Sequence, residues 1–173
     1  MKRLLALLCL LTALPASALT LKVMQKVEVD NKGKTGDTKT QTRSLDMLIT
    51  SLENGTVNAT VKYWFFARNM KSGKETVLKR GSKDAALEKN VPTAVQSETV
   101  TSTYTEEHVE VEKAKGGNKS GGKNKGSKST TKKIPASGER ITGYAVQVFV
   151  GKELAADYYS APSYKLMVQE RGQ

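Results

Sequence analysis

The sequence is poor in the residues that form disulfides and Cys/His metal sites. Its 173 residues include one cysteine, one histidine, one tryptophan and four prolines. A single cysteine and a single histidine exclude a disulfide within the chain and a zinc site built from several Cys and His ligands. The G-x-S-x-G, H-E-x-x-H and Gly-rich dinucleotide-binding motifs are also missing. We therefore expect no cofactor, no metal and a non-enzymatic protein.

Residues 1–18 have the pattern of a secretory signal peptide. Two basic residues precede an apolar run, Leu4–Leu14, and small residues follow at 16–18. The run is shorter than the roughly 20 apolar residues that a membrane helix needs. We predict cleavage after Ala18, export to the periplasm or the extracellular space, and no integral membrane segment after cleavage. A membrane anchor formed by the same run, or a lipoprotein formed through Cys9, are the alternatives.

Apolar and polar residues alternate with a period of two through most of the remaining chain, which is typical of half-buried strands. Asn54-Gly55 is a strong hairpin signal between two such runs. The pattern predicts seven to nine short strands and no amphipathic helix, with a last strand at 164–168. We expect an all-β fold, a two-sheet antiparallel β-sandwich forming one domain over 19–168, with a short tail at 169–173. The predicted strands lie within 21–30, 44–50, 57–68, 76–79, 84–89, 92–112, 140–150, 154–159 and 164–168.

The stretch Ser44–Ala67, SLDMLITSLENGTVNATVKYWFFA, resembles a pair of core strands in immunoglobulin-like and fibronectin type III-like modules. The resemblance implies an immunoglobulin-like sandwich architecture. The stretch differs from true immunoglobulin domains because it lacks both of their cysteines. It implies no chemistry, since function depends on sites rather than on folds.

The positive charge is concentrated in one segment. The formal net charge is +11; two of these charges belong to residues 1–18 and eight to Lys113–Lys133, which leaves +1 for all other residues. The segment is rich in Gly and Ser and has no large apolar side chain, so burial cannot offset the entropy lost on ordering. We predict a disordered basic insertion over 113–138 that joins strands at 97–112 and 140–150.

Lysines without neighbouring aromatic residues attract polyanions by counterion release but do not read a base sequence. We expect Lys119, Lys123, Lys125 and Lys128 to attract anionic envelope polymers or glycans weakly, with no sequence-specific binding of nucleic acid. The alternative is a solvated insertion with no dedicated partner.

An acidic strand face lies just before this segment. Alternation places Glu106, His108, Glu110 and Glu112 on one face, and Glu107 lies between the first two. Such a face could hold a divalent cation or supply a general acid and base. The interpretation we adopt is a solvated face whose acids are neutralised by the adjacent lysines.

The run Tyr63–Phe66 predicts a strand that is apolar on both faces. If Tyr63 and Phe65 face the core, Trp64 and Phe66 point outward and offer a binding or oligomer surface, for a sugar ring stacked on Trp64, for a protein partner or for a second copy. Coverage by another segment, or a core position for Trp64, are the alternatives.

The sequence as a whole favours an exported binding or structural module of the cell envelope or extracellular space. A small secreted hydrolase that uses carboxylates is the alternative.

Overall fold

The computed structural model of the chain describes residues 18–32, 38–112 and 130–169. Within these ranges the chain forms ten strands and one short helix, and the strands pair antiparallel. The prediction of an all-β antiparallel fold is therefore confirmed. The elements are β1 Leu19–Lys32, β2 Thr38–Ser51, β3 Val57–Asn69, β4 Glu75–Leu87, β5 Thr93–Gln96, β6 Val100–Thr105, β7 His108–Glu112, β8 Thr130–Ile134, β9 Ser137–Val150, β10 Glu153–Tyr159 and α1 Pro162–Gln169.

Eight strands form one hydrogen-bonded sheet. Six of them follow the order β1-β2-β6-β9-β3-β4; off this path, β5 pairs with β2 and β10 pairs with β9. Strand β9 connects two groups of strands. Its first residues, Ser137 and Gly138, pair with β6, whereas Glu139–Val150 pair with β3. The first group therefore contains β1, β2, β5 and β6, and the second contains β3, β4, β9 and β10.

The main core lies between these two groups. One cluster of buried side chains contains Leu45 and Ile49 of β2 together with Phe65 of β3 and Val148 of β9. The Tyr63 hydroxyl of β3 accepts a hydrogen bond from the backbone N–H of Glu98, between β5 and β6, at 3.2 Å. Strand β2 thus packs against strands with which it does not pair.

The Asn54-Gly55 turn does not close a hairpin. Gly55 has the positive φ of 88° that the dipeptide favours. However, β2 pairs with β1, β5 and β6, whereas β3 pairs with β4 and β9. The connection therefore carries the chain from the first group to the second. The two-residue turn of Gly151 and Lys152, by contrast, joins β9 and β10 as a hairpin, as Val150 pairs with Glu153.

Several predicted strand boundaries are wrong. The runs at 76–79 and 84–89 lie within or overlap the single strand β4, Glu75–Leu87. The run at 92–112 is interrupted twice, because it forms the three strands β5, β6 and β7. The first interruption is at Ser97, whose backbone N–H and side-chain oxygen both bond to the backbone of Leu45. These contacts let β5 and β6 lie end to end along one edge of β2, since β6 pairs with Thr38–Arg43 and β5 with Asp46–Ile49.

The predicted strand at 164–168 is wrong, because Pro162–Gln169 forms the helix α1. Proline is favoured at the first helical position, where its missing N–H costs nothing. Tyr164 and Val168 are both buried, and a spacing of four residues places them on one helical face. The segment is too short for its apolar pattern to distinguish a helix from a strand.

Strands β7 and β8 form a separate two-stranded sheet. His108 pairs with Ile134 and Glu112 with Thr130. The predicted disorder over 113–138 is therefore wrong for Thr130–Ile134 and for Ser137 onward, which are strands. Residues 113–129 lie outside the described part of the chain.

In the described ranges, no helix has the length and apolar character needed to cross a membrane.

Candidate functional site

Trp64 lies on the face of the second strand group that points away from the main core. In the strand register it is opposite Arg80 of β4 and Ala145 of β9. Its neighbours Tyr63 and Phe65 are fully buried on the other face. The alternation in the sequence therefore predicted correctly which side chains of β3 enter the main core. The structure places β3 beside β9, whose Ala145 continues the apolar outer face.

Phe66 is not available as an exposed binding residue, and this part of the prediction is wrong. Helix α1 covers it: the rings of Phe66 and Tyr164 stack with centroids 4.2 Å apart and an interplanar angle of 7°. Phe66, Ala145, Tyr164 and Val168 form a second buried cluster, and Phe66 has no exposed surface. Coverage of the outer face by another segment was the alternative, and α1 is that segment.

Trp64 packs at the edge of this second cluster and remains partly exposed. It lines a surface groove of about 390 Å³ with Val77, Leu78, Lys79 and Arg80. The Lys79 Nζ lies 2.9 Å from a carboxylate oxygen of Glu98, and this hydrogen bond raises the pKa of Lys79. The groove therefore combines an aromatic ring with two cations, one of which is already paired with an acid.

The lysine-rich segment begins and ends at the β7–β8 hairpin. Lys119, Lys123, Lys125 and Lys128 lie outside the described residues. Lys132 and Lys133 belong to β8, where they pair with Glu110 and Val109 in the strand register. Lys133 Nζ lies 2.8 Å from Glu107 Oε1. This ion pair connects the C-terminal end of the segment to the residues just before β7.

Two of the acids near His108, Glu106 and Glu107, form ion pairs with lysines. Glu106 accepts a hydrogen bond from Lys39 at 3.0 Å, which, with the charge of Lys39, lowers the pKa of Glu106. His108 Nε2 lies 3.7 Å from Glu110, and its Nδ1 lies 2.9 Å from the backbone oxygen of Glu106. The side chain of Glu112 is outside the described residues. Among the described residues, no group of three or more His, Cys, Asp or Glu side chains is placed to hold a metal.

The structure contains a second groove that the sequence did not predict. It has a volume of about 420 Å³, and its lining includes Arg43, Arg68 and Arg140 from β2, β3 and β9. These arginines are far apart in the chain and belong to no local motif. Only strand pairing and the contact between the two groups bring them together, so no signal in the sequence identifies the groove.

Comparison with known proteins identifies no family. No protein-family model matches the chain, and no curated protein matches it. A solved structure described as the X-ray structure of Northeast Structural Genomics Consortium target SoR45 aligns with 71% of this chain and 86% of its own, at 10% identity and a TM-score of 0.34. That degree of similarity supports no conclusion about fold or function.

Proposed function

We propose that the chain is an exported, non-enzymatic β-sandwich module that binds anionic polymers of the cell envelope or the extracellular space through its lysine-rich segment. Export rests on the signal-peptide pattern of residues 1–18. The observation that carries the binding function is the separation of charge: Lys113–Lys133 holds eight lysines and no acid.

The sandwich form is supported by the packing of the two strand groups. Side chains of β2 share one buried cluster with those of β3 and β9, although β2 pairs with neither strand. Face-to-face packing of antiparallel strand groups around one core is the defining feature of a β-sandwich. The immunoglobulin-like type within this architecture is a further part of the proposal and rests on the resemblance of Ser44–Ala67.

The placement of the lysine-rich segment suits electrostatic binding. Glu107 forms an ion pair with Lys133, and Glu110 lies opposite Lys132 in the strand register. The lysines at 113–128 therefore are not needed to neutralise Glu107. A cluster of cations with no aromatic residue binds polyanions by releasing condensed counterions, which makes the affinity strongly dependent on salt.

The Trp64 groove is a second surface for the same function. A partly exposed tryptophan beside arginine is a combination enriched where proteins contact partners. Trp64 and Arg80 meet this description, and Lys62 on the same face lies over the Phe149 ring at 4.7 Å. We propose that the groove contacts the polymer, or a protein associated with it, once the lysine-rich segment has attracted it.

Charge neutralisation within the segment tests the proposal. The variant changes the six lysines at 113, 115, 119, 123, 125 and 128 to glutamine and leaves β7 and β8 intact. The matched control changes six exposed lysines elsewhere, at 22, 71, 74, 83, 152 and 165. Both variants lose the same net charge, so only the position of the charge differs. Retention on immobilised heparin and on single-stranded DNA is measured as the salt concentration rises.

We expect the segment variant to elute at clearly lower salt than the control variant, because clustered charges release more counterions together than scattered ones. Equal shifts in the two variants would mean that net charge alone governs retention and would overturn the proposal. Failure of the unmodified chain to bind either polymer would do the same.

The Trp64→Ala variant tests the groove in the same assay. Lower retention with unchanged melting supports a contribution of the groove to polymer binding, and unchanged retention excludes that contribution.

A further inference from the structure

The arginine groove has the composition of an anion site. It lies where β9 passes from the first strand group to the second, and its lining includes Arg43, Arg68, Arg140, Thr142, Tyr164 and one acid, Glu75. Three guanidinium groups thus face a single lining carboxylate. Guanidinium groups present paired N–H donors that match the oxygens of a carboxylate or a phosphate.

The acids near the groove leave much of this charge uncompensated. Arg68 Nη2 lies 3.4 Å from Glu75, and Arg140 Nη1 lies 3.8 Å from Glu106. Strong charge-assisted hydrogen bonds are shorter, about 2.7–2.9 Å. Glu106 also has a closer partner in Lys39, at 3.0 Å. Both arginines can therefore turn toward a ligand without breaking a short ion pair.

Arg43 is the least satisfied of the three. Its Nε atom is buried and has no hydrogen-bond partner among the described residues. Burial, with the nearby charge of Arg140, lowers the pKa of Arg43. A buried donor without an acceptor, next to a like charge, is unfavourable, and an anion bound in the groove would supply both the acceptor and a compensating charge. No ion pair of Arg43 with a described acid compensates this cost.

The backbone around the groove is shaped by a β-bulge. Phe66 pairs with Gly143 and Ala67 with Ile141, so Thr142 is the extra residue on β9. Bulges are frequent beside binding sites because they redirect side chains. The Thr142 hydroxyl donates to the Phe66 carbonyl at 3.4 Å, and Tyr164 of the packed helix α1 forms another wall. The lining therefore comes from paired strands and a docked helix, which hold it in place.

We propose that this groove binds a small ligand through a phosphate or carboxylate group held by Arg43 and Arg140. The volume of about 420 Å³ is in the range of small-molecule sites, roughly 300–1,000 Å³. Arg43 supplies the buried donor, Arg140 and Arg68 bind from the more exposed side, and the Thr142 hydroxyl is close enough in the lining to take part. This site is independent of the lysine-rich segment, which recognises charge density and not a single anionic group.

Calorimetric titration of the full chain with inorganic pyrophosphate and with citrate, at constant ionic strength, tests the proposal. The variants are Arg43→Gln and Arg140→Gln. Lys83→Gln is the matched control, because Lys83 is an exposed cation on β4 that lines neither the arginine groove nor the Trp64 groove. Arg140 has a half-exposed side chain, so its variant carries the test even if Arg43→Gln fails to fold. Thermal melting of each variant reports on folding.

We expect saturable binding of at least one probe, weakened about ten-fold or more in the groove variants that fold and unchanged in Lys83→Gln. Binding of pyrophosphate alone identifies a phosphate ligand, and binding of citrate alone a carboxylate ligand. Absence of saturable binding for both probes overturns the proposal. Binding that survives both groove variants but disappears when the six lysines at 113–128 become glutamine also overturns it, and instead supports the function of the lysine-rich segment.

Discussion

Phe66 and Tyr164 stack face to face, with ring centroids 4.2 Å apart and planes within 7° of parallel. This contact attaches helix α1 to the outer face of β3. The helix buries Phe66 and Ala145, which would otherwise be an exposed apolar patch, and leaves Trp64 at its edge. A strand with two apolar faces is thus explained by two cores, one on each side of it.

The stack predicts the contribution of Tyr164 to stability. Tyr164→Ala removes a ring that is 4% exposed, and we expect a loss of about 3 kcal/mol in the free energy of unfolding, as for other large-to-small core changes. Trp64 is the only tryptophan in the chain and packs against the same cluster, so its fluorescence emission should shift to longer wavelength. Urea unfolding and emission spectra measure the two effects.

Leu166→Ala is the control for this variant, because Leu166 is on the same helix and 63% exposed. It should change the free energy of unfolding by less than about 0.5 kcal/mol and leave the Trp64 emission in place. Equal effects of the two substitutions would mean that the helix is not held by the Tyr164 ring.

Gly138 should be less tolerant of substitution than Gly73. Both have a positive φ, 81° and 71°, so alanine costs about 1–2 kcal/mol at either position. A Cβ at Gly138 would also meet the backbone oxygen of Thr103, whereas at Gly73 it meets nothing within 4 Å. We expect Gly138→Ala to lose a further 1–3 kcal/mol, roughly the cost of overpacking, in urea unfolding. Equal losses would contradict the close approach of β9 to β6.

The raised pKa of Tyr144 predicts a loss of stability at alkaline pH. Burial, with the hydrogen bond and charge of Tyr158, raises the pKa of Tyr144 from 10.0 to about 12. The folded chain therefore keeps a proton that the unfolded chain releases, and folding becomes less favourable as the pH rises from about 10 to about 12. Below pH 10 this contribution is fully present.

Tyr144→Phe removes the ionisable group, so its free energy of unfolding should fall less than that of the unmodified chain between pH 9 and pH 12. Urea unfolding across this range measures the difference. Ultraviolet titration of the folded chain should lack one late phenolate transition in the variant. The same pH dependence in both proteins would exclude Tyr144 as its source.

Local patterns in the sequence were sufficient where one strand and one core decide the outcome. The alternation at Val57, Val61, Tyr63 and Phe65 correctly predicted their burial, because side chains of a strand must point to opposite faces in turn. The same pattern correctly indicated that β3 has two apolar faces. It could not show what covers the outer face, since α1 lies about a hundred residues further along the chain than β3.

Predictions failed where distant contacts override a local signal. Asn54-Gly55 forms a tight connection, but β2 and β3 find other pairing partners, so no hairpin results. Residues 164–168 form a helix because Tyr164 and Val168 share one buried face. The arginine groove could not be predicted at all, because Arg43, Arg68 and Arg140 meet only through the arrangement of three strands.

The sequence by itself determined the all-β character of the chain, the side chains of β3 that enter the main core, and the concentration of positive charge in Lys113–Lys133. These properties follow from residue type and from the two-residue period of a strand. Only the tertiary structure decided that Phe66 is covered, that Glu106 pairs with Lys39 of β2, and that three arginines line one groove. Each of these depends on which distant strands lie side by side, and free energy of packing across the whole core selects that arrangement.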